Sequence, residues 1–138
     1  MDLSNINFWA VIVATLSTFV VGWLWYGPLF GKVWMSLVGL SEQQIQQSNM
    51  GKIFGLAFIF ELIMAFNLAI FFYGGGGGGI LTGGTGALYG FLTGFGWISF
   101  ALAVNSLYER RSWKYMLING GYWTLSLTLM GLILGLWQ

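Results

Sequence analysis

The sequence predicts an all-α membrane protein: four transmembrane helices in a compact bundle, with short interfacial helices in the first connection. Three observations predict it. Of the 138 residues, 57% are hydrophobic and only 7% are charged, whereas a soluble domain needs about a quarter charged residues to cover its surface. The apolar residues fall into four blocks, each at least as long as the roughly 20 residues that a helix needs to cross about 30 Å of hydrocarbon. All five basic residues lie in or beside two of the three connections between those blocks, which gives the array a direction.

The first block runs from Ile6 to Tyr26, the second from Ile53 to Tyr73, the third from Ile80 to Leu107 and the fourth from Trp113 to Trp137. Together they make a single domain over residues 1–138. Backbone groups in lipid must be satisfied within the segment, so blocks of this length read as helices. The first block has no basic n-region and ends in bulky "WLWYGP". It is therefore expected to stay as a span and not to be cleaved as a signal peptide.

Lys32 and Lys52 belong to the connection 27–52, and Arg110, Arg111 and Lys114 cluster around 108–112. The positive-inside rule puts both connections in the cytoplasm and both termini outside, as in a multi-pass protein of the bacterial inner membrane. Trp9, Trp23, Trp25, Tyr26, Tyr73, Tyr108, Trp113 and Trp137 lie near block ends, where aromatic belts form. Trp97 and Trp123 lie deeper and read as packing residues.

Within the first connection, "PLFGKVWMSLVGL" has the pattern of a short amphipathic helix with Lys32 in water and Trp34 and Leu37 in the headgroup layer. "SEQQ" at Ser41–Gln44 has the form of a capping box, so a second short helix is expected there. A docking surface and a plain re-entry elbow both fit this segment. Residues 74–79 are six consecutive glycines, placed on the outer side by the same topology. They lack the Lys and Ser/Thr of a phosphate-binding loop and carry no function in this reading.

In lipid, helices associate by close backbone approach, so small residues four apart mark contact faces. The first span carries Ala10, Ala14, Thr18 and Gly22; the third carries Thr82, Gly86, Gly90 and Gly94; the fourth carries Gly131 and Gly135. Packing within one bundle and homo-oligomerisation through a leftover ridge both use such faces.

The second span has the ridge Ala57, Glu61, Ala65, Ala69, which turns its one carboxylate towards another helix. Glu61 is eight residues in from Ile53, about 12 Å at 1.5 Å per residue. The same depth on the other spans reaches Thr18, Ser99 and the Gly121–Tyr122 pair, with no basic residue. A charge at mid-span costs about 2.5–3.5 kcal/mol on insertion scales. Two readings follow. In the first, Glu61 is a neutral acid that hydrogen-bonds Thr18, Tyr122 or a carbonyl and ties helices together. In the second, it exchanges a proton or binds a cation. Asn67, Asn105 and Asn119 are further polar points, and the latter two are expected to bond across the turn between the last spans.

There is no histidine and no cysteine, which removes thiolate chemistry and the usual transition-metal ligands. No cofactor, no metal and no enzymatic role is expected, and a net charge of +1 gives nucleic acid nothing to bind. The expected partners are the lipid bilayer and either a second copy or another membrane protein.

Two stretches carry a family resemblance. "GWLWYGPLFGKVWM" (Gly22 to Met35) and "NSLYERRSWKYMLINGGYW" (Asn105 to Trp123) resemble the paired signatures of a bacterial integral membrane family catalogued as "domain of unknown function 1761". The matching positions are Trp25, Tyr26, Pro28, Gly31, Lys32, Trp34, Glu109, Arg110, Arg111, Asn119, Gly121 and Tyr122. Gly27 departs from an expected serine and Trp123 from an expected histidine. The resemblance implies a four-span membrane protein with no established activity and a shared structure on the side where the signatures meet. A Glu109–Lys32 pair, with the arginines facing headgroup phosphates, is one arrangement that would build it. The function that asks least of the residues is an accessory, assembly or membrane-organising role through helix packing and a basic cytoplasmic face. The alternative is an oligomeric transporter or channel component that uses Glu61.

Overall fold

The computed structural model describes residues 3–73 and 81–137. The hexaglycine connection and the expected third-span start at Ile80 lie outside the described residues. Among the described residues, seven α-helices and two π-helical turns follow one another and no strand occurs. Among the described residues, four helical segments are long and apolar enough to cross a membrane: Phe8–Leu29, Met50–Tyr73, Gly83–Tyr108 and Trp113–Leu136. The chain is a multi-pass membrane protein.

Local chemistry sets the ends. Helix α1 (Phe8–Leu24) starts later than Ile6 because Asn7 is its N-cap, its side chain accepting from the Trp9 and Ala10 amides at 3.1 and 3.2 Å. The helix passes beyond Tyr26 through a π-helical turn, Trp25–Leu29, that contains Pro28. Proline has no N–H and its ring presses on the carbonyl four residues back. The wider turn absorbs this, and the Phe30 amide reaches back five residues to the Trp25 carbonyl at 2.8 Å. At Gly31 the chain folds so tightly that a Cβ would sit 2.5 Å from the Tyr26 carbonyl oxygen. Helix α2 (Gly31–Val38) and helix α3 (Glu42–Gln47) fill the first connection. Ser41 and Gln44 form the reciprocal capping box at the start of α3.

Helix α4 (Met50–Tyr73) begins three residues before the expected Ile53, because Asn49 accepts from the Lys52 amide at 3.0 Å and caps it earlier. The third span is two helices, α5 (Gly83–Thr93) and α6 (Phe100–Tyr108), joined by the π-helical turn Gly94–Ser99. This turn changes the side-chain register. Trp97, read from sequence as a packing residue, is 79% exposed on the outer surface. Helix α7 (Trp113–Leu136) is capped by Ser112, whose hydroxyl accepts from the Tyr115 amide at 3.2 Å.

Helix α7 is the axis. It packs most heavily against α5, then against α1, while α4 packs on α1 and only grazes α7. The α5–α7 contact depends on glycine. A Cβ on Gly86 or Gly131 would overlap the other's carbonyl oxygen, one on Gly90 would overlap that of Leu127, and one on Gly135 that of Thr82. Without a hydrophobic drive between helices in lipid, this backbone-to-backbone approach supplies the dispersion contacts that hold the hairpin. The ridge of α1 is used in the same way: Ala10, Ala14 and Thr18 are fully buried, and Gly22 faces the Tyr122 ring. In α4, Glu61, Ala65 and Ala69 are buried and Ala57 is half-buried.

The turn from α6 to α7 closes as a Schellman motif, with the Arg110 amide on the Leu107 carbonyl at 3.1 Å and the Arg111 amide on the Ser106 carbonyl at 2.8 Å. Arg110 takes the left-handed position of that motif, at φ 58°, where glycine is the usual occupant.

Candidate functional site

The ridge of α4 delivers Glu61 to the meeting point of three spans. Its exposure is 6%. Thr18, from α1, bonds to Oε2, and the Tyr122 hydroxyl, from α7, donates to Oε1 at 3.1 Å. Tyr122 also lies 3.2 Å from the Thr18 carbonyl oxygen, and Thr18 Oγ1 lies 2.6 Å from the Thr15 carbonyl oxygen. Thr18 has one hydroxyl proton and two oxygens within reach. A carboxylic proton on Glu61 would complete the set: Glu61 to Thr18, Thr18 to Thr15, and Tyr122 to the remaining carboxyl oxygen. The node can therefore be fully bonded without a counter-ion.

Of the residues at this depth, Thr18 and Tyr122 join Glu61 and Ser99 does not. Ser99 Oγ lies instead 2.9 Å from the Gly94 carbonyl oxygen, 2.8 Å from that of Gly120 and 2.9 Å from Thr124 Oγ1. Equal depth suggested it as a neighbour of Glu61, but its place in the π-helical turn points it at the opposite side of α7. Two buried hydroxyls were missed. Thr15 and Ser126 are fully buried in the same layer, and Ser126 Oγ, one helical turn from Tyr122, stands near enough to the Tyr122 hydroxyl to act on it but outside ordinary bonding geometry. The spacing Thr15–Thr18 and Tyr122–Ser126 on one helical face was the available signal.

A second cluster forms where the two signature stretches meet, and it touches the first through Tyr122. Trp25 Nε1 donates to the Ile118 carbonyl at 2.8 Å, and its ring lies over Gly121, where a Cβ would come within 2.8 Å. The Tyr26 hydroxyl donates to Asn119 Oδ1 at 2.7 Å. The Tyr26 ring contacts those of Trp34 and Tyr122, at centroid distances of 5.4 and 5.2 Å. Asn119 thus bonds to Tyr26 and not across the turn to Asn105, which is exposed. Glu109 pairs with Arg111 at 3.7 Å, not with Lys32. Lys32 is held on α2, whereas the Schellman turn sets residues 109 and 111 side by side. That pair is half-exposed and contributes little to stability; the Arg111 guanidinium also lies 5.0 Å from the Tyr115 ring centre. Pro28, Lys32 and Arg110 are exposed. Among the described residues, no group of three acidic residues could hold a metal ion.

The model of the family described as "Protein of unknown function (DUF1761)" matches residues 9–135, which takes in both clusters. No curated protein and no solved structure matches the chain.

Proposed function

This chain belongs to the DUF1761 family, and from that premise we propose that it is an accessory, assembly or membrane-organising protein. In this reading it works through helix packing against a second copy of itself or a partner membrane protein. The observation that carries the reading is Asn67. Its side chain is exposed on the outer face of α4, between exposed Phe60, Ile63 and Phe71. It lies six residues before the helix end at Tyr73, about 9 Å inside. An amide facing lipid has no water to bond, and a partnering helix satisfies it. Model transmembrane peptides gain about 1–2 kcal/mol from such polar contacts.

The inner polar group supports the same reading. Both oxygens of Glu61 are engaged by neighbouring spans, so the acid serves as a fastener. The reading assigns the chain no catalytic step, no cofactor and no nucleic-acid partner. It places the connections 27–52 and 108–112 in the cytoplasm of a bacterial cell and both termini outside. The grouping of all five cations on that side supports this placement.

The chain contains no cysteine, so Ile63→Cys creates a single reporter beside Asn67. Oxidation in native membranes should give a cross-linked species, and adding Asn67→Ala should reduce its yield several-fold. A chain that stays uncross-linked and runs alone as a monomer in mild detergent would contradict the assembly role.

A further inference from the structure

A groove of about 680 Å³ opens on the side of α7 away from Glu61. This volume lies within the range of small-molecule sites. It forms because the third span packs closely on α7 along the glycine face of α5 but only loosely along α6. The π-helical turn at Gly94–Ser99 marks the change. Phe91, Phe95 and Ala103 form one wall, and Leu117, Thr124 and Leu125 form the other. Trp25 and Trp113 also line it. The threonine hydroxyls of the lining are occupied: Thr124 Oγ1 donates to the Gly120 carbonyl at 2.8 Å and Thr128 Oγ1 to the Thr124 carbonyl at 2.6 Å. Those two hydroxyls therefore wait for no partner, and the surface between them is apolar.

The groove has a charged end. From Trp113 to Thr128 it follows α7 for about 22 Å, starting at the turn 109–112 and passing the middle of a hydrocarbon core about 30 Å thick. Arg110, Arg111 and Lys114 stand at that turn. Arg111 is engaged by Glu109 and Tyr115, while Arg110 and Lys114 are exposed and have no ion pair among the described residues. Arg110 occupies the left-handed position that glycine would take more easily, so this turn carries a cation against its own backbone preference. An apolar slot that begins beside two cations without an ion pair among the described residues and runs past the bilayer middle has the chemistry of a lipid, not of a helix.

We propose that this groove binds one acyl chain of an anionic phospholipid from the leaflet on the side of the 109–112 turn, with the headgroup phosphate held by Arg110 and Lys114. The site is independent of the contact assigned to Asn67, which lies on α4. A phosphate between two cations forms charge-assisted hydrogen bonds, and the chain in the groove covers the aromatic walls.

Native mass spectrometry of the full chain, with phosphatidylglycerol and phosphatidylcholine of identical chains, tests this. The wild type should retain phosphatidylglycerol at least tenfold better than phosphatidylcholine. Arg110→Gln with Lys114→Gln should remove that preference. Ala103→Trp and Leu125→Trp, which fill the groove from opposite walls, should each lower retention of both lipids, while Val20→Trp on the outer face of α1 should change nothing. Equal retention of the two lipids by the wild type would overturn the proposal, as would retention indifferent to both groove-filling variants. Efficient cross-linking of two chains through Leu117→Cys would assign the groove to a second copy and overturn it as well.

Discussion

The Tyr122 hydroxyl donates to Glu61 Oε1 at 3.1 Å across 61 positions of sequence, and the same tyrosine ring packs on Tyr26. One residue thereby joins the buried acid to the cluster built from the two family signatures. Tyr122→Phe removes only the hydroxyl. Interhelical hydrogen bonds in membranes average about 0.6 kcal/mol and reach about 1.7. A double-mutant cycle of Tyr122→Phe with Glu61→Gln, read by unfolding in mixed micelles, should give a coupling in that range. Additive effects would mean that the contact is energetically idle.

The α5–α7 interface tolerates no side chain at its glycines. Gly90→Val and Gly131→Val each force a β-carbon into a facing carbonyl group. Overpacking typically costs about 1–3 kcal/mol and more where backbone blocks the way. Both variants should lose helicity or unfold at markedly lower denaturant. Gly55→Ala, whose Cβ would meet nothing within 4 Å, should hold wild-type stability or exceed it by up to about 1 kcal/mol, from helix propensity.

Arg110 adopts φ 58°, a conformation that costs a non-glycine residue roughly 1–2 kcal/mol. Arg110→Gly should raise stability by about 1 kcal/mol or slightly more, measured by the same unfolding titration. A loss of stability would show that the guanidinium makes a contact outweighing the backbone cost.

Ser126 presents a buried hydroxyl that lies beside Tyr122 but makes no bond of ordinary geometry among the described residues, a state that costs about 1–3 kcal/mol in protein interiors. Ser126→Ala should therefore be neutral to stabilising. Clear destabilisation would indicate that the hydroxyl serves the Tyr122 layer.

Much of this was legible in the sequence because period and solvent dictate it. The ridge Ala57–Glu61–Ala65–Ala69 turned the acid inward, and matching depth found Thr18 and Tyr122. Depth failed for Ser99, because a π-helical turn shifts the register after Gly94 and no periodic rule anticipates where one forms. The same shift turned Trp97 outward. The capping box at Ser41 was readable from four residues, and the Asn7 and Asn49 caps moved two span starts by two or three positions. The Glu109–Lys32 pair failed for a different reason. Proximity to one membrane surface does not fix contacts, and the Schellman geometry at Arg110 gave Glu109 a nearer cation.

The central claim is that Glu61 fastens the first, second and fourth spans and carries nothing across the membrane. Proton and monovalent-cation flux in vesicles reconstituted with wild type and with Glu61→Gln measures this directly. The fastener account predicts the same background flux from both. A flux present in the wild type and abolished in a stably folded Glu61→Gln variant would contradict it.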